Sequence, residues 1–249
     1  MYFEQNFTVD SREVDLTGRA RPSAVLGYLQ EAATGAALAL HVSGPEIMAK
    51  YHCIWMIVRM WFHLDEPLAW NETFTVRTWH RGGRGASTYR DFDLLRDGRV
   101  IGEAVSAWVL ADTDTHRLLN LKSLEEFQGT DGGSLCKTRT LHKLKLPEEL
   151  TGREERAMRY SDTDINGHVN NCKYADFACD ALHLERLLPG RFVQEFQIGY
   201  LNQCLAGESL TLETGEEEGS LCVRGVGPGG EGRFQCTVRL APEAGEGKA

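Results

Sequence analysis

Apolar side chains recur along this chain with two distinct periods. In the opening segment MYFEQNFTVD, Phe3, Phe7 and Val9 fall on one side of an extended backbone, which predicts a strand. Val25, Leu29, Ala32, Ala33 and Ala36 then recur at helical spacing behind Pro22, a residue suited to a first helical turn. Met60, Phe62 and Leu64 return to a period of two, the mark of a half-buried strand. Alternating segments follow, separated by the turn signals GRGAS, RDGR and DTDTHR.

The same order of patterns occurs again. VDLTGRARPSAVLGYLQEAA (14–33) lies over TDINGHVNNCKYADFACDAL (163–182) without a gap: Asp15 meets Asp164, Leu16 meets Ile165, Gly18 meets Gly167, and Ala20 meets Val169, at an offset of 149. The second helix would begin near Asn170 and Asn171 and bury Tyr174, Phe177, Ala178, Ala181 and Leu182. Downstream, 58–78 lies over 194–214 at an offset of 136, so that Met60, Phe62 and Leu64 meet Phe196, Ile198 and Tyr200. Each half reads as a strand, a helix and an antiparallel meander of about four strands. One small-residue helix across a one-sided sheet supplies the cover that such a sheet needs. The expected organisation is a first copy over 1–128, an extended linker over 129–150 carrying GTDGGS and CKTRTLHKLKLPEEL, and a second copy over 151–249.

Composition narrows the function classes. The 249 residues are 42% hydrophobic and 25% charged, enough for a substantial core in one large domain or two ordinary ones. A net charge of -9 argues against nucleic acid as a partner, since phosphate binding needs a basic stripe. No apolar run approaches the roughly 20 residues of a membrane helix. The start shows neither a basic leader nor an apolar signal segment. Seven cysteines without a Cys-x-x-Cys pair suggest neither zinc nor a disulfide framework, and they favour a reducing cytoplasm.

The repeat also serves as an internal comparison. Both turns keep an aspartate, an apolar residue, a glycine and a second apolar residue. Where the first has Thr17 and Arg19, the second has Asn166 and His168; where the first strand has Pro67 and Leu68, the second has Gln203 and Cys204. A structural requirement should hold in both copies, whereas chemistry need hold in only one. Asp164 and Asn170 could each be ordinary capping residues, and His168 or Cys204 alone could be structural. Their concentration in one copy marks Asp164, Asn166, His168, Gln203 and Cys204 as a candidate reaction centre.

These residues carry a resemblance. YSDTDINGHVNNCKYADF resembles the Asp-x-Asn-x-His-Val-Asn-Asn-x-Lys-Tyr signature of the acyl-acyl carrier protein thioesterases, and IGYLNQCLAGESL resembles the strand that follows it. The first half is similar to the family's N-terminal unit, so the likeness spans the chain apart from the tail after about 241. What the resemblance implies is an α+β tandem (double) hotdog, two antiparallel sheets each wrapped around a long central helix. It implies hydrolysis of the thioester between a fatty acyl chain and the 4'-phosphopantetheine arm of acyl carrier protein, with no metal or cofactor; that no membrane partner is expected rests on the apolar runs, not on the resemblance. The active residues it implies map onto Asp164, Asn166, His168 and the Gln203–Cys204 pair. The family commonly carries a glutamate where Gln203 stands, and glutamine cannot take a proton at neutral pH.

Two schemes follow for such a centre. Cys204 attacks with His168 as its base and Asn166 orienting the ring; or water attacks, with Asp164 or His168 as base and Asn166 and Gln203 positioning water and substrate. Backbone N–H groups between Gly167 and Asn170, ahead of the second helix, would hold the oxyanion. The family's pattern puts the acyl slot in the first half, with CIWMIVRMWFHL (53–64) as candidate walls. Lys137, Arg139, Lys143 and Lys145, with Arg153, Arg156 and Arg159, form the densest basic region and the expected docking patch for an acidic carrier. An acyl-CoA thioesterase of the same fold and a non-catalytic acyl-thioester binding module are the alternatives. Acyl-chain length and oligomeric state, a homodimer included, stay open at this stage.

Overall fold

The computed structural model describes residues 1–84, 86–120, 124 and 131–243. Gly85 of the expected GRGAS turn, the start of the expected linker at 129–130 and the last six residues of the chain lie outside the described residues. The chain forms two compact units: one from Met1–Thr8, Tyr28–Phe62 and Thr73–Leu141, the other from Val9–Gly27, His63–Glu72 and the chain from His142 onward. The turn of the first copy therefore groups with the second copy.

In the first unit, β1 (Phe3–Thr8), β2 (Cys53–Leu64), β3 (Thr73–Arg84), β4 (Ser87–Arg96) and β5 (Arg99–Asp112) take the order β1-β3-β4-β5-β2. In the second, β6 (Gly152–Ala157), β7 (Arg191–Tyr200), β8 (Ser209–Glu217), β9 (Ser220–Val226) and β10 (Gly232–Pro242) take the equivalent order β6-β8-β9-β10-β7. The pairings β1–β3, β3–β4, β4–β5, β6–β8, β8–β9, β9–β10 and β10–β7 are all antiparallel.

Helix α1 (Pro22–Ala39) buries Val25, Leu29, Ala32, Ala33 and Ala36, the positions its period selects. It passes so close over β1 that a Cβ on Gly35 would sit 2.7 Å from the Phe3 ring. A second helix, α2 (Gly44–Tyr51), was not foreseen. Ser43, with Pro45 and Glu46 behind it, starts this helix: the Glu46 carboxylate accepts the Ser43 N–H at 3.0 Å. Helix α3 (Lys173–Ala181) lies over β6, β8 and β10 and buries Tyr174, Phe177, Ala178 and Ala181. At nine residues it is not the long helix expected, because His183 turns to φ +51° and the chain restarts as the short α4 (Leu184–Leu187).

The segment anticipated as an extended linker is in part a strap on the first unit. Gly132 donates its N–H to the His80 carbonyl and sits so tightly under Trp79 that a Cβ there would fall 2.2 Å from the indole. The Lys137 N–H reaches the Asp91 carboxylate at 2.9 Å, and Leu141 is buried with Trp61, Val105 and Ala107. The outer face of β3 and β4 is thereby covered, which is why Trp79 and Asp91 are both buried. Asp91 is held there by the Arg81 guanidinium, whose Nε lies 2.9 Å from each carboxylate oxygen.

Candidate active site

The two copies of the glycine turn are built from the same hydrogen bonds. In the first, Asp15 N–H donates to the Arg19 carbonyl at 2.8 Å and Gly18 N–H to the Asp15 carbonyl at 3.0 Å. In the second, Asp164 N–H donates to His168 at 2.9 Å and Gly167 N–H to Asp164 at 3.0 Å. Both glycines are left-handed, at φ +74° and +75°, which is why neither turn uses another residue. The aspartate carboxylates accept the N–H two residues on, of Thr17 at 2.7 Å and Asn166 at 2.8 Å. The turn's contact with its partner segment repeats as well: Ala20 N–H donates to Leu68 at 2.9 Å and Val169 N–H to Cys204 at 2.8 Å.

On this common frame the side chains diverge. The Thr17 hydroxyl folds back onto Asp15 at 2.6 Å, and Arg19 forms a two-pronged ion pair with Glu243 at 2.9 and 3.2 Å. In the second copy Asn166 and Gln203 are exposed and His168 is half-exposed, and none of the three side chains has a hydrogen bond among the described residues. The first copy spends its variable side chains on the fold; the second leaves them available. Asp164 behaves like Asp15 in tying the turn, so its carboxylate is part of the shared scaffold.

Cys204 takes a different place from the one expected. His168 bridges to Leu205 in antiparallel fashion, and the Val169 N–H bonds the Cys204 carbonyl. Paired residues share a face and neighbours alternate, so His168 goes with Leu205 while Cys204 goes with Val169. Burial agrees: Cys204 and Val169 are 0% and 3% exposed, Leu205 43%. The Cys204 N–H donates to the Tyr174 hydroxyl at 3.0 Å, and burial pushes the thiol's pKa up. The residue is a core cysteine beside a tyrosine, turned away from the open side chains.

The expected backbone oxyanion donors are also mostly committed. Gly167, Val169 and Asn170 N–H groups bond the carbonyls of Asp164, Cys204 and Asp162. Of that run, His168 alone keeps an N–H with no hydrogen bond among the described residues.

Two neighbours carry no sequence signal as site residues. Tyr174 has the spacing of a helix core position, and it is buried; its ring packs on Tyr200 and Phe234, and its hydroxyl fixes the backbone at Cys204. Arg233, on β10, donates to the Gln203 carbonyl and pairs with Glu231 at 2.6 Å and Glu208 at 3.3 Å, clamping the loop that carries Gln203. No motif signals an arginine so far along the chain.

The first unit holds a cavity of about 410 Å³ between α1, α2 and the inner face of β3, β4 and β5, walled by Ala33, Ala37, Leu38, Val42, Trp55 and Trp108. Of the segment 53–64 only Trp55 lines it; Ile54 and Met56 are exposed, and Cys53, Ile57 and Met60 are core.

Comparison with known proteins places this architecture. The model of the acyl-ACP thioesterase N-terminal domain matches residues 1–126, and that of the acyl-ACP thioesterase C-terminal domain matches residues 147–239. The chain belongs to the acyl-ACP thioesterase family. It is 28% identical to the dodecanoyl-[acyl-carrier-protein] hydrolase of Cinnamomum camphora over 243 residues, 89% of this chain and 63% of the relative. It is 28% identical to the palmitoyl-acyl carrier protein thioesterase of Arabidopsis thaliana, over 90% of this chain and 58% of the relative. The chain thus spans about three-fifths of the length of these curated relatives. Two solved structures share the fold: an acyl-ACP thioesterase from Bacteroides thetaiotaomicron (TM-score 0.81, 22% identity, 96% of this chain and 98% of that one) and the 12:0-ACP thioesterase from Umbellularia californica (TM-score 0.80, 22% identity, 97% and 98%). The fold class is the α+β tandem hotdog that the family implies. Among the described residues no helix is long and apolar enough to cross a membrane.

Proposed function

We propose that this protein hydrolyses fatty acyl-acyl carrier protein thioesters, releasing the free fatty acid and ending chain elongation. The observation that carries this reading is the asymmetry of the two turns: on one hydrogen-bond frame, only the second leaves an amide and an imidazole uncommitted. Family membership supplies the substrate class.

The burial of Cys204 favours direct attack by water. In this scheme water adds to the thioester carbonyl carbon while His168 takes its proton. The His168 N–H faces the developing oxyanion, and Asn166 and Gln203 orient water and thioester by hydrogen bonds. The tetrahedral adduct then collapses, the C–S bond breaks, and the imidazolium returns its proton to the leaving thiolate. Positioned acid–base catalysis of this kind is worth about 10²- to 10⁴-fold. Gln203 serves as donor and acceptor and cannot be the base. The acyl chain is housed in the first unit's cavity. The carrier protein approaches the exposed lysines Lys143 and Lys145, and seven unpaired cysteines suit a reducing compartment such as the cytoplasm.

Thiol release measured on acyl-carrier and acyl-CoA substrates tests this. Carrier-bound substrate should be preferred, and His168→Ala should abolish turnover while Cys204→Ala does not. Tight binding with no thiol release from any acyl thioester would make the protein a binding module instead.

A further inference from the structure

The candidate site stands on two stretches of backbone, the glycine turn and the segment Gln203–Leu205 that it meets, and the repeat also reveals how that segment is held. In the first copy the Glu72 carboxylate accepts the Ala69 N–H at 2.9 Å; in the second the Glu208 carboxylate accepts the Leu205 N–H at 3.2 Å. The pairs Ala69–Leu205 and Glu72–Glu208 obey the offset of 136. Each glutamate has an arginine near it, but the arginines come from different places. Arg19, on the first turn itself, acts electrostatically on Glu72 besides pairing with Glu243. At the position of Arg19 the second turn has His168, and the cation paired with Glu208 is Arg233 on β10, at 3.3 Å.

Arg233 does more than replace a charge. Its side chain is 14% exposed; Nη1 donates to the Gln203 carbonyl, while Nη2 reaches Glu208 and Glu231. The same peptide group donates its N–H, that of Cys204, to the Tyr174 hydroxyl at 3.0 Å. The next carbonyl, of Cys204, takes the Val169 N–H, and the next N–H, of Leu205, goes to the Glu208 that Arg233 holds. Every backbone group from the Gln203 carbonyl to the Leu205 N–H is thus fixed, the first and the last of them through Arg233. Neighbours along an extended segment alternate, so Gln203 and Leu205 lie on the side that His168 shares. A requirement of the fold alone would be met in the same way in both copies. Moving the cation from the turn to β10 leaves the turn position open for an imidazole.

We propose that Arg233 is a positioning residue of this site: it takes over the charge that Arg19 supplies in the first copy, so that His168 can occupy the turn, and it locks the Gln203–Cys204 peptide so that Gln203 is held on the His168 side. The role of Gln203 and His168 themselves rests on the hydrolase reading, and Arg233 acts through Gln203 rather than on substrate. A polar group fixed before substrate arrives needs no reordering during the reaction, and misplacement by about 1 Å can cost about a hundredfold in rate.

Two measurements on the intact chain test this. Amide hydrogen exchange reads the clamp without turnover: Arg233→Met should speed exchange at Cys204 and Leu205 at least about tenfold and leave Ala69, the matching amide of the first copy, unchanged. Steady-state thiol release reads the consequence: Arg233→Met should lower kcat about ten- to a hundredfold, with KM for the acyl thioester within about threefold of wild type. Arg233→Lys keeps the charge but not the planar fork, so it should retain the fold and only part of kcat. Because Arg233 acts through Gln203, its loss and that of Gln203→Ala should overlap, the double variant being within about twofold of the slower single one. Losses that multiply would mark a merely structural residue and overturn the proposal, as would exchange that rises equally at Ala69. Should the methionine variant fail to fold, the lysine variant decides. Wild-type kcat and wild-type exchange at Leu205 would overturn the proposal, and a partial loss of kcat at an unchanged unfolding midpoint would support it. A wild type that releases no thiol from any acyl thioester, while Arg233→Met still loosens Cys204 and Leu205 alone, would remove the hydrolase reading and leave the clamp standing. An active wild type whose kcat is indifferent to Arg233→Met would do the reverse.

Discussion

His168 and Cys204 lie on opposite faces of one backbone pairing: the bridge from His168 to Leu205 puts the imidazole with the exposed leucine and turns the thiol inward to Tyr174. Cys204→Ala should accordingly leave the rate of thiol release within about threefold of wild type and cost about 1 kcal/mol of stability, as for loss of a small buried group. His168→Ala should lower the rate at least about a hundredfold with little change in stability. Steady-state assays paired with urea unfolding separate the two. A Cys204→Ala protein that folds normally and is inactive would restore covalent catalysis.

The matched turns allow a second, differential test. Gly18 and Gly167 share a left-handed backbone with open space where a Cβ would be built. Alanine at either position should cost about 1 kcal/mol of stability from backbone strain alone. Only Gly167→Ala should also reduce turnover, by an expected tenfold or more, because only that turn carries Asn166 and His168. Equal kinetic losses in the two variants would mean that the turns matter to activity only through stability.

How far the sequence reveals this site follows from what periodicity can encode. The two offsets, 149 and 136, align the halves, and the hydrogen bonds of the folded chain obey both. Which of two adjacent residues faces the site is a question of strand parity, and Gln203 and Cys204 were both candidates because the apolar–polar alternation breaks down there. The bridge between His168 and Leu205 settles the parity. Parity is likewise illegible on β3, where Trp79 and His80 are both buried. The strap from 131 to 141 covers the outer face, so the alternation that would identify the inner one is lost. The strap itself read as a linker because its anchors, Gly132, Lys137 and Leu141, are too sparse to give a period.

A pH test follows from His80. Burial and the adjacent Arg90 guanidinium lower its pKa from 6.5 to about 4. A base whose folded pKa is depressed favours folding in its neutral form. Its stabilising contribution is complete above about pH 6.5, falls as pH drops through the window to about 4, and is gone below it. A shift of this size corresponds to about 3 kcal/mol. Urea unfolding of wild type between pH 7 and 4 should therefore lose stability more steeply than His80→Gln, by a difference of that order. Parallel curves would show that the imidazole is not held neutral by the fold.

The charges expected to meet the carrier protein divide into two classes, and their reversal should have different consequences. Lys137 is bound within the first unit, its ammonium 2.7 Å from both Asp93 and Glu103, and Arg156 pairs with Asp180 at 2.7 Å over the Phe177 ring. Lys143 and Lys145 are exposed and make no ion pair among the described residues. Reversing both exposed lysines to glutamate should raise KM for an acidic carrier-bound substrate severalfold, leave kcat nearly unchanged, and spare small thioesters without the carrier. Surface charges act mainly on association, so the difference should shrink as salt rises and the Debye length falls below about 8 Å. Lys137→Glu should instead place three carboxylates together and lower the unfolding midpoint, affecting large and small substrates alike. A KM for carrier-bound substrate that ignores both the paired reversal and the salt concentration would place the docking surface elsewhere.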